Sequence, residues 1–145
     1  MFPRILLLAM ASFLARAEFL RVEVHMKDMD CASCSDSLGK AFEKMRGVKH
    51  VEVGMNNGTV TLELDDQNRI PLERIWEMIK RVGFTPGETK VIVRGAVKGD
   101  SLVISGIDRT IRIDGHSADA ENAELTGTIT PPPDPRTPMR IRIAE

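Results

Sequence analysis

The sequence predicts an α+β fold: a small antiparallel sheet with two helices on one face, followed by an all-β region. Three observations carry this. From Leu20 the chain alternates apolar and polar residues with period two, and around Leu38 and again around Leu72 the apolar period lengthens to that of a helix. Beyond Val97 only short alternating runs remain, separated by Gly, Asp and Pro.

The first strand places Leu20, Val22, Val24 and Met26 on one face and Arg21, Glu23, His25 and Lys27 on the other. Small and polar residues from Lys27 to Cys31 read as a loop. Leu38, Ala41, Phe42 and Met45 then recur at i, i+3, i+4 and i+7, giving a helix of about a dozen residues closed by Gly47. Val48, Val51 and Val53 lie before Asn56-Asn57-Gly58, and Val60, Leu62 and Leu64 after it, which predicts a hairpin. Its other face, with Glu52, Thr59, Thr61 and Glu63, is polar, so the sheet should meet water on one side. Pro71 opens a second helix with the stripe Leu72, Ile75, Ile79 and Val82, and Gly83 ends it. After a turn at Thr85-Pro86-Gly87-Glu88, a strand runs from about Lys90 to Val97. Strand, helix, hairpin, helix, strand is the order of a ferredoxin-like βαββαβ sandwich.

In the tail, Ser101 to Ser105, Arg109 to Ile113, Glu124 to Thr130 and Met139 to Ile143 read as strands. Four strands without a helix predict a small β-sandwich or an open barrel of the OB type. Val91, Val93, Gly95 and Val97 fit the last strand of the first unit, the first strand of the second, or both. The expected organisation is residues 1–17 as a leader, 18–97 as the first domain and 98–145 as a β-rich extension. The prolines from Pro131 to Pro135 should bend or cap an edge loop.

Met1 to Ala17 has the pattern of a secretory signal: Arg4 is the positive n-region, Ile5 to Leu14 the apolar run and Ala15-Arg16-Ala17 a cleavage site. An apolar run of about ten residues is half of what a spanning helix needs. The expected mature chain is therefore periplasmic or secreted, begins after Ala17 and does not span a membrane. With 20 basic and 21 acidic side chains the whole chain carries a net charge of −1, and losing Arg4 and Arg16 makes it more acidic. That balance argues against nucleic acid as a partner. No P-loop, nucleophile with a base, or paired carboxylates in a plausible cleft occurs, so the expectation is a protein that is not an enzyme.

The chemistry concentrates in Met29-Asp30-Cys31-Ala32-Ser33-Cys34, which holds both cysteines two residues apart where a strand gives way to a helix. Two thiolates at that spacing can grip one ion, and thiolate selects copper(I), zinc(II), cadmium(II) or mercury(II) over magnesium or calcium. At the start of a helix, the free amide N–H groups and the positive end of the dipole stabilise a thiolate. The same spacing also suits a redox dithiol or a structural disulfide, although a bridge across so short a loop constrains the unfolded chain little.

These features together resemble the heavy-metal-associated domain. The resemblance rests on Met29-x-Cys31-x-x-Cys34, the run Met45-Arg46-Gly47-Val48, the hairpin Val51 to Leu64 and Val82-Gly83-Phe84. It covers about residues 20 to 95, in a family that includes copper chaperones, modules of P-type ATPases and the periplasmic mercury-binding protein. The resemblance implies that Cys31 and Cys34 bind the metal, that Met29 packs beneath the loop and that Phe84 lies close to the site. Asp30 is similar to the variant of zinc, cadmium and lead transporters, in which the acid joins the coordination sphere. Its two readings are a third metal ligand and a solvated loop acid.

The functional expectation is an exported carrier or sequestering protein for one heavy-metal ion: copper(I), zinc(II) or mercury(II). It would exchange thiolate ligands with a metal-transporting membrane protein or another metallochaperone. The alternatives are a periplasmic thiol-disulfide oxidoreductase, and an interaction module whose metal site is vestigial. His25 reads as an exposed surface residue, His50 and His116 as loop residues without a role, and Met26, Met45 and Met55 as core.

Overall fold

The computed structural model describes residues 17–27, 31–115 and 117–144. Its elements run β1 (Glu18–Lys27), α1 (Ala32–Glu43), β2 (Val48–Gly54), β3 (Thr59–Leu64), α2 (Leu72–Val82), β4 (Thr85–Lys98), β5 (Ser101–Ile104), a 3-10 turn (Ser105–Ile107), β6 (Arg109–Asp114), β7 (Ala120–Ile129) and β8 (Arg140–Ile143). The first four strands pair in the order β2-β3-β1-β4, all antiparallel. With α1 and α2 between them this is the ferredoxin-like arrangement.

Alternation sets which side chains go inside. Val22 and Val24 of β1, Val60 and Leu62 of β3, and Val91 and Val93 of β4 are buried against Leu38 and Phe42 of α1 and Leu72, Ile75, Trp76 and Ile79 of α2. At the start of β1 a bulge between Phe19 and Arg21 shifts the register. A one-residue shift exchanges faces, so Phe19 takes the core position expected of Leu20. Gly83, at φ 110°, closes α2 in the left-handed conformation that glycine adopts without steric cost.

Four further expectations are corrected. Thr85-Pro86-Gly87-Glu88 is not a turn but the first part of a strand of 14 residues. An irregularity between Val24 and Met26 absorbs the extra residues, and β7 joins β4 only from Thr89 onward, so the missing N–H of Pro86 breaks no ladder bond on that edge. Met55 is exposed, because it lies past the end of β2 in the turn before β3, while Thr59, expected on the wet face, is buried. His50 belongs to β2 and is exposed there, whereas His116 lies outside the described residues.

β4 is where the two regions join. One edge pairs with β1, and the other pairs with β7 from Thr89↔Ile129 to Val97↔Ala120. Past Glu18, where β1 begins, the first edge continues into a hairpin with β5. β5 pairs with β6, β6 runs parallel to β8, and β8 pairs with β7, which returns to β4. The tail strands and β4 therefore form a ring of five, filled by Val97, Leu102, Ile104, Ile111, Ile113, Ile129 and Ile141. The expected domain boundary after residue 97 falls within β4, which both regions use. A Cβ at Gly127 would stand 2.6 Å from the Arg142 carbonyl oxygen, so only glycine lets β7 and β8 approach this closely.

Candidate metal centre

The cysteine pair stands at one end of the sheet. Lys27, the last residue of β1, pairs with Thr85 of β4, and the chain reaches Cys31 four residues later. Cys31 is the N-cap of α1, with φ −119° and ψ 114°, so the backbone arrives extended and turns there into the helix. Its carbonyl accepts from the N–H of Cys34 at 3.2 Å and of Ser35 at 3.1 Å. Cys34 thus lies in the first turn.

Caps are normally Ser, Thr, Asp or Asn, whose oxygens satisfy the first free N–H groups. Here Cys31 makes no such side-chain bond, and among the described residues the first turn contains no acid. The positive end of the helix is left to the two sulfurs. The neighbouring hydroxyls are engaged locally: Ser35 Oγ donates to the Ala32 carbonyl at 2.7 Å, and Ser37 Oγ to the Ser33 carbonyl at 3.0 Å. Ser33 Oγ lies 3.0 Å from Cys31 Sγ.

Cys31 and Cys34 are half-buried, between the exposed Ala32 and Ser33 and a core against which Cys34 packs. Their Cα atoms are 5.2 Å apart and the sulfurs are joined as a disulfide. Reduction by two electrons and two protons would open the pair to two thiols. The site therefore has two chemical states, one closed to metal and one able to offer two soft donors.

Among the described residues no group of three or more His, Cys, Asp and Glu side chains is placed to hold an ion. Asp30 and Met29 lie outside the described residues. Phe84 is buried, its N–H donating to the Ile79 carbonyl at 3.1 Å, and it precedes Thr85 at the same end of the sheet. His25 sits on the outward face of β1 with 44% of its side chain exposed, 3.7 Å from Glu23 Oε1.

The model of the heavy-metal-associated domain matches residues 23–85. Over this segment the chain is similar to the heavy-metal-associated domain. Its matched span takes in β1 from Glu23, both cysteines, both helices and the start of β4. A copper-transporting ATPase of Helicobacter pylori is 25% identical over 67 residues, which are 46% of this chain and 9% of that protein. Among solved structures, a copper binding domain from HMA7, a P-type ATPase, is 26% identical, covers 50% of this chain and 92% of its own, and has a TM-score of 0.43. Oxidized MerP from Ralstonia metallidurans CH34 is 20% identical, covers 47% of this chain and 93% of its own, and has a TM-score of 0.42. The match thus covers most of the first region and leaves β5 to β8 outside it.

One set of residues escaped the sequence reading. Arg112, Arg140 and Arg142 come together on the outer face of the ring, because β6 and β8 lie side by side. The alternation Arg140-Ile141-Arg142-Ile143 shows an outward basic face, but which strand lies beside it is not written in either segment.

Proposed function

We propose that this protein binds one soft metal ion between Cys31 and Cys34 in their reduced state and passes it on by ligand exchange. The observation that carries the reading is the pair itself: two sulfurs at the uncapped start of α1, on the exposed rim of a heavy-metal-associated domain. The cap-free helix end favours thiolate over thiol once the bridge is opened. The half-buried pair, flanked by the exposed Ala32 and Ser33, lets an incoming thiol of a recipient attack before both original sulfurs have let go. Copper(I) and mercury(II) accept two sulfur donors, and the similar proteins include a copper-transporting ATPase, a copper binding domain and MerP. Zinc(II) wants more ligands, and Asp30 would be the third. The leader Met1 to Ala17 supports an exported chain, and the recipient is then a metal-transporting membrane protein or another metallochaperone. Among the described residues no helix is long and apolar enough to cross a membrane.

The test is equilibrium titration of the reduced full chain with copper(I), zinc(II) and mercury(II), beside the Cys31→Ser, Cys34→Ser double variant. One equivalent bound by the parent and none by the variant supports the reading, and equal binding by both ends it. The same titration with Asp30→Ala decides that residue: selective loss of zinc makes it a ligand, and no change leaves it a solvated acid. A cysteine pair close enough to bridge also serves a second reading, a periplasmic thiol-disulfide oxidoreductase. It predicts catalytic turnover in an insulin-reduction assay, which a carrier does not show.

A further inference from the structure

The ring carries a feature that metal binding does not use. One cross-strand row on its outer face reads Lys90 of β4, Thr128 of β7, Arg142 of β8 and Asp114 of β6. Two residues along the strands, Arg140 and Arg112 stand side by side on the same face. Four cations from three strands therefore share one patch, and all four are exposed.

The neutralising acids are fewer. Arg112 pairs with Asp100 at 2.5 Å, and Arg140 with Asp114. Arg142 and Lys90 have no ion-pair partner among the described residues. The Asp114 carboxyl is held below its usual range by hydrogen bonding to Arg140, with the charges of Arg140, Arg112 and Arg142 acting in the same direction. Four cations thus face two paired carboxylates, Asp100 and Asp114, leaving positive charge to spare.

Beside this patch is a depression of about 320 Å³. It is lined by Arg140 and Arg142, with Asp114 bonded to Arg140, by the prolines Pro131 to Pro133 and Pro138, and by the hydroxyls of Thr128, Thr130 and Thr137. The proline-bearing loop is held by Asp134, which accepts from the N–H groups of Arg136 at 2.7 Å and Thr137 at 3.1 Å. Two arginines against one carboxylate, hydroxyl donors and stiff apolar prolines suit a further carboxylate on an extended chain.

We propose that this face of the ring docks a short acidic peptide segment of a protein partner. A peptide fits better than a nucleic acid for two reasons. Every described aromatic side chain, Phe19, Phe42, Trp76 and Phe84, is buried, so no ring is free to stack a base. The row also runs from Lys90 directly into Glu23 of β1, which limits the patch to a short anion and repels a long phosphate backbone.

The test uses the full chain and a fluorescein-labelled hexaglutamate peptide, with binding followed by anisotropy at low and high salt. The parent should bind the peptide, and added salt should weaken it. Arg142→Glu, at an exposed position with no ion pair to lose, should reduce affinity about tenfold or more. Lys90→Gln, which adds no charge, should weaken binding in the same direction and serves if Arg142→Glu fails to fold, with Trp76 emission as the folding control. Cys31→Ser with Cys34→Ser should leave peptide binding unchanged. No binding by the parent at low salt, equal binding by folded Arg142→Glu and Lys90→Gln, or tighter binding of an oligothymidylate of equal length would overturn the proposal.

Discussion

The ferredoxin-like region and the five-strand ring share β4 but organise their residues in opposite ways. In the first, the candidate chemistry lies in consecutive residues, Cys31 to Cys34, and helices cover one face of the sheet. In the second, no helix covers the sheet. Its apolar side chains fill the ring, and its charged groups meet only because strands distant in the chain lie side by side. A local motif names its own chemistry, whereas a surface assembled by strand pairing stays silent until the pairing is known.

That contrast can be broken most sharply in the core. The buried apolar residues of both regions form one cluster. Phe42→Ala in α1 should cost about 3–5 kcal/mol, and Ile111→Ala in β6 about 2–5 kcal/mol, from lost burial and the cavity left behind. Both should move one and the same unfolding transition followed by Trp76 emission. Two separate transitions would mean that the regions fold independently despite the shared strand.

Smaller effects should come from single polar and steric contacts. Asn68 Nδ2 donates to the carbonyls of Phe19 and Asp65, each at 2.8 Å, and its Oδ1 accepts from the Ile70 N–H at 3.1 Å. Asn68→Ala strands those buried groups and should cost about 1–3 kcal/mol in denaturant melts. Gly127→Ala should cost about 1–3 kcal/mol, because the new methyl meets backbone of β8 and cannot be relieved by a side-chain rotation. An unchanged midpoint for Gly127→Ala would show that β7 and β8 can separate freely.

The smallest effect is electrostatic. Hydrogen bonding to Arg140 lowers the folded-state value of Asp114, so its contribution is fully present above the ordinary carboxyl value. It is lost as pH falls through the lowered value. Asp114→Asn should therefore match the parent in strong acid and fall slightly below it toward neutral pH, by little because the pair is exposed and screened. A stability gap that widens as the solution becomes more acidic would contradict this sign.

Much of the first region was legible because its pairings are local. The hairpin joins β2 to β3 through a four-residue turn, and the stripe Leu72, Ile75 and Ile79 faces the core as its period requires. Leu20 and the run Thr85 to Glu88 were misread because bulges change face and length without an obvious mark in the sequence. Met55 was misread because alternation was extended one residue past the end of β2. In the tail the strands themselves were legible, but their closure depends on β4 meeting β7 and on β6 running parallel to β8. Neither partner specifies those meetings alone.

The most direct measurement is X-ray absorption spectroscopy on the reduced, copper(I)-loaded full chain, prepared without oxygen. Two sulfur atoms as the nearest neighbours of the metal, disappearing from the Cys31→Ser, Cys34→Ser variant, is the predicted result. A first shell of nitrogen and oxygen alone, or a spectrum that the double substitution leaves unchanged, would contradict it.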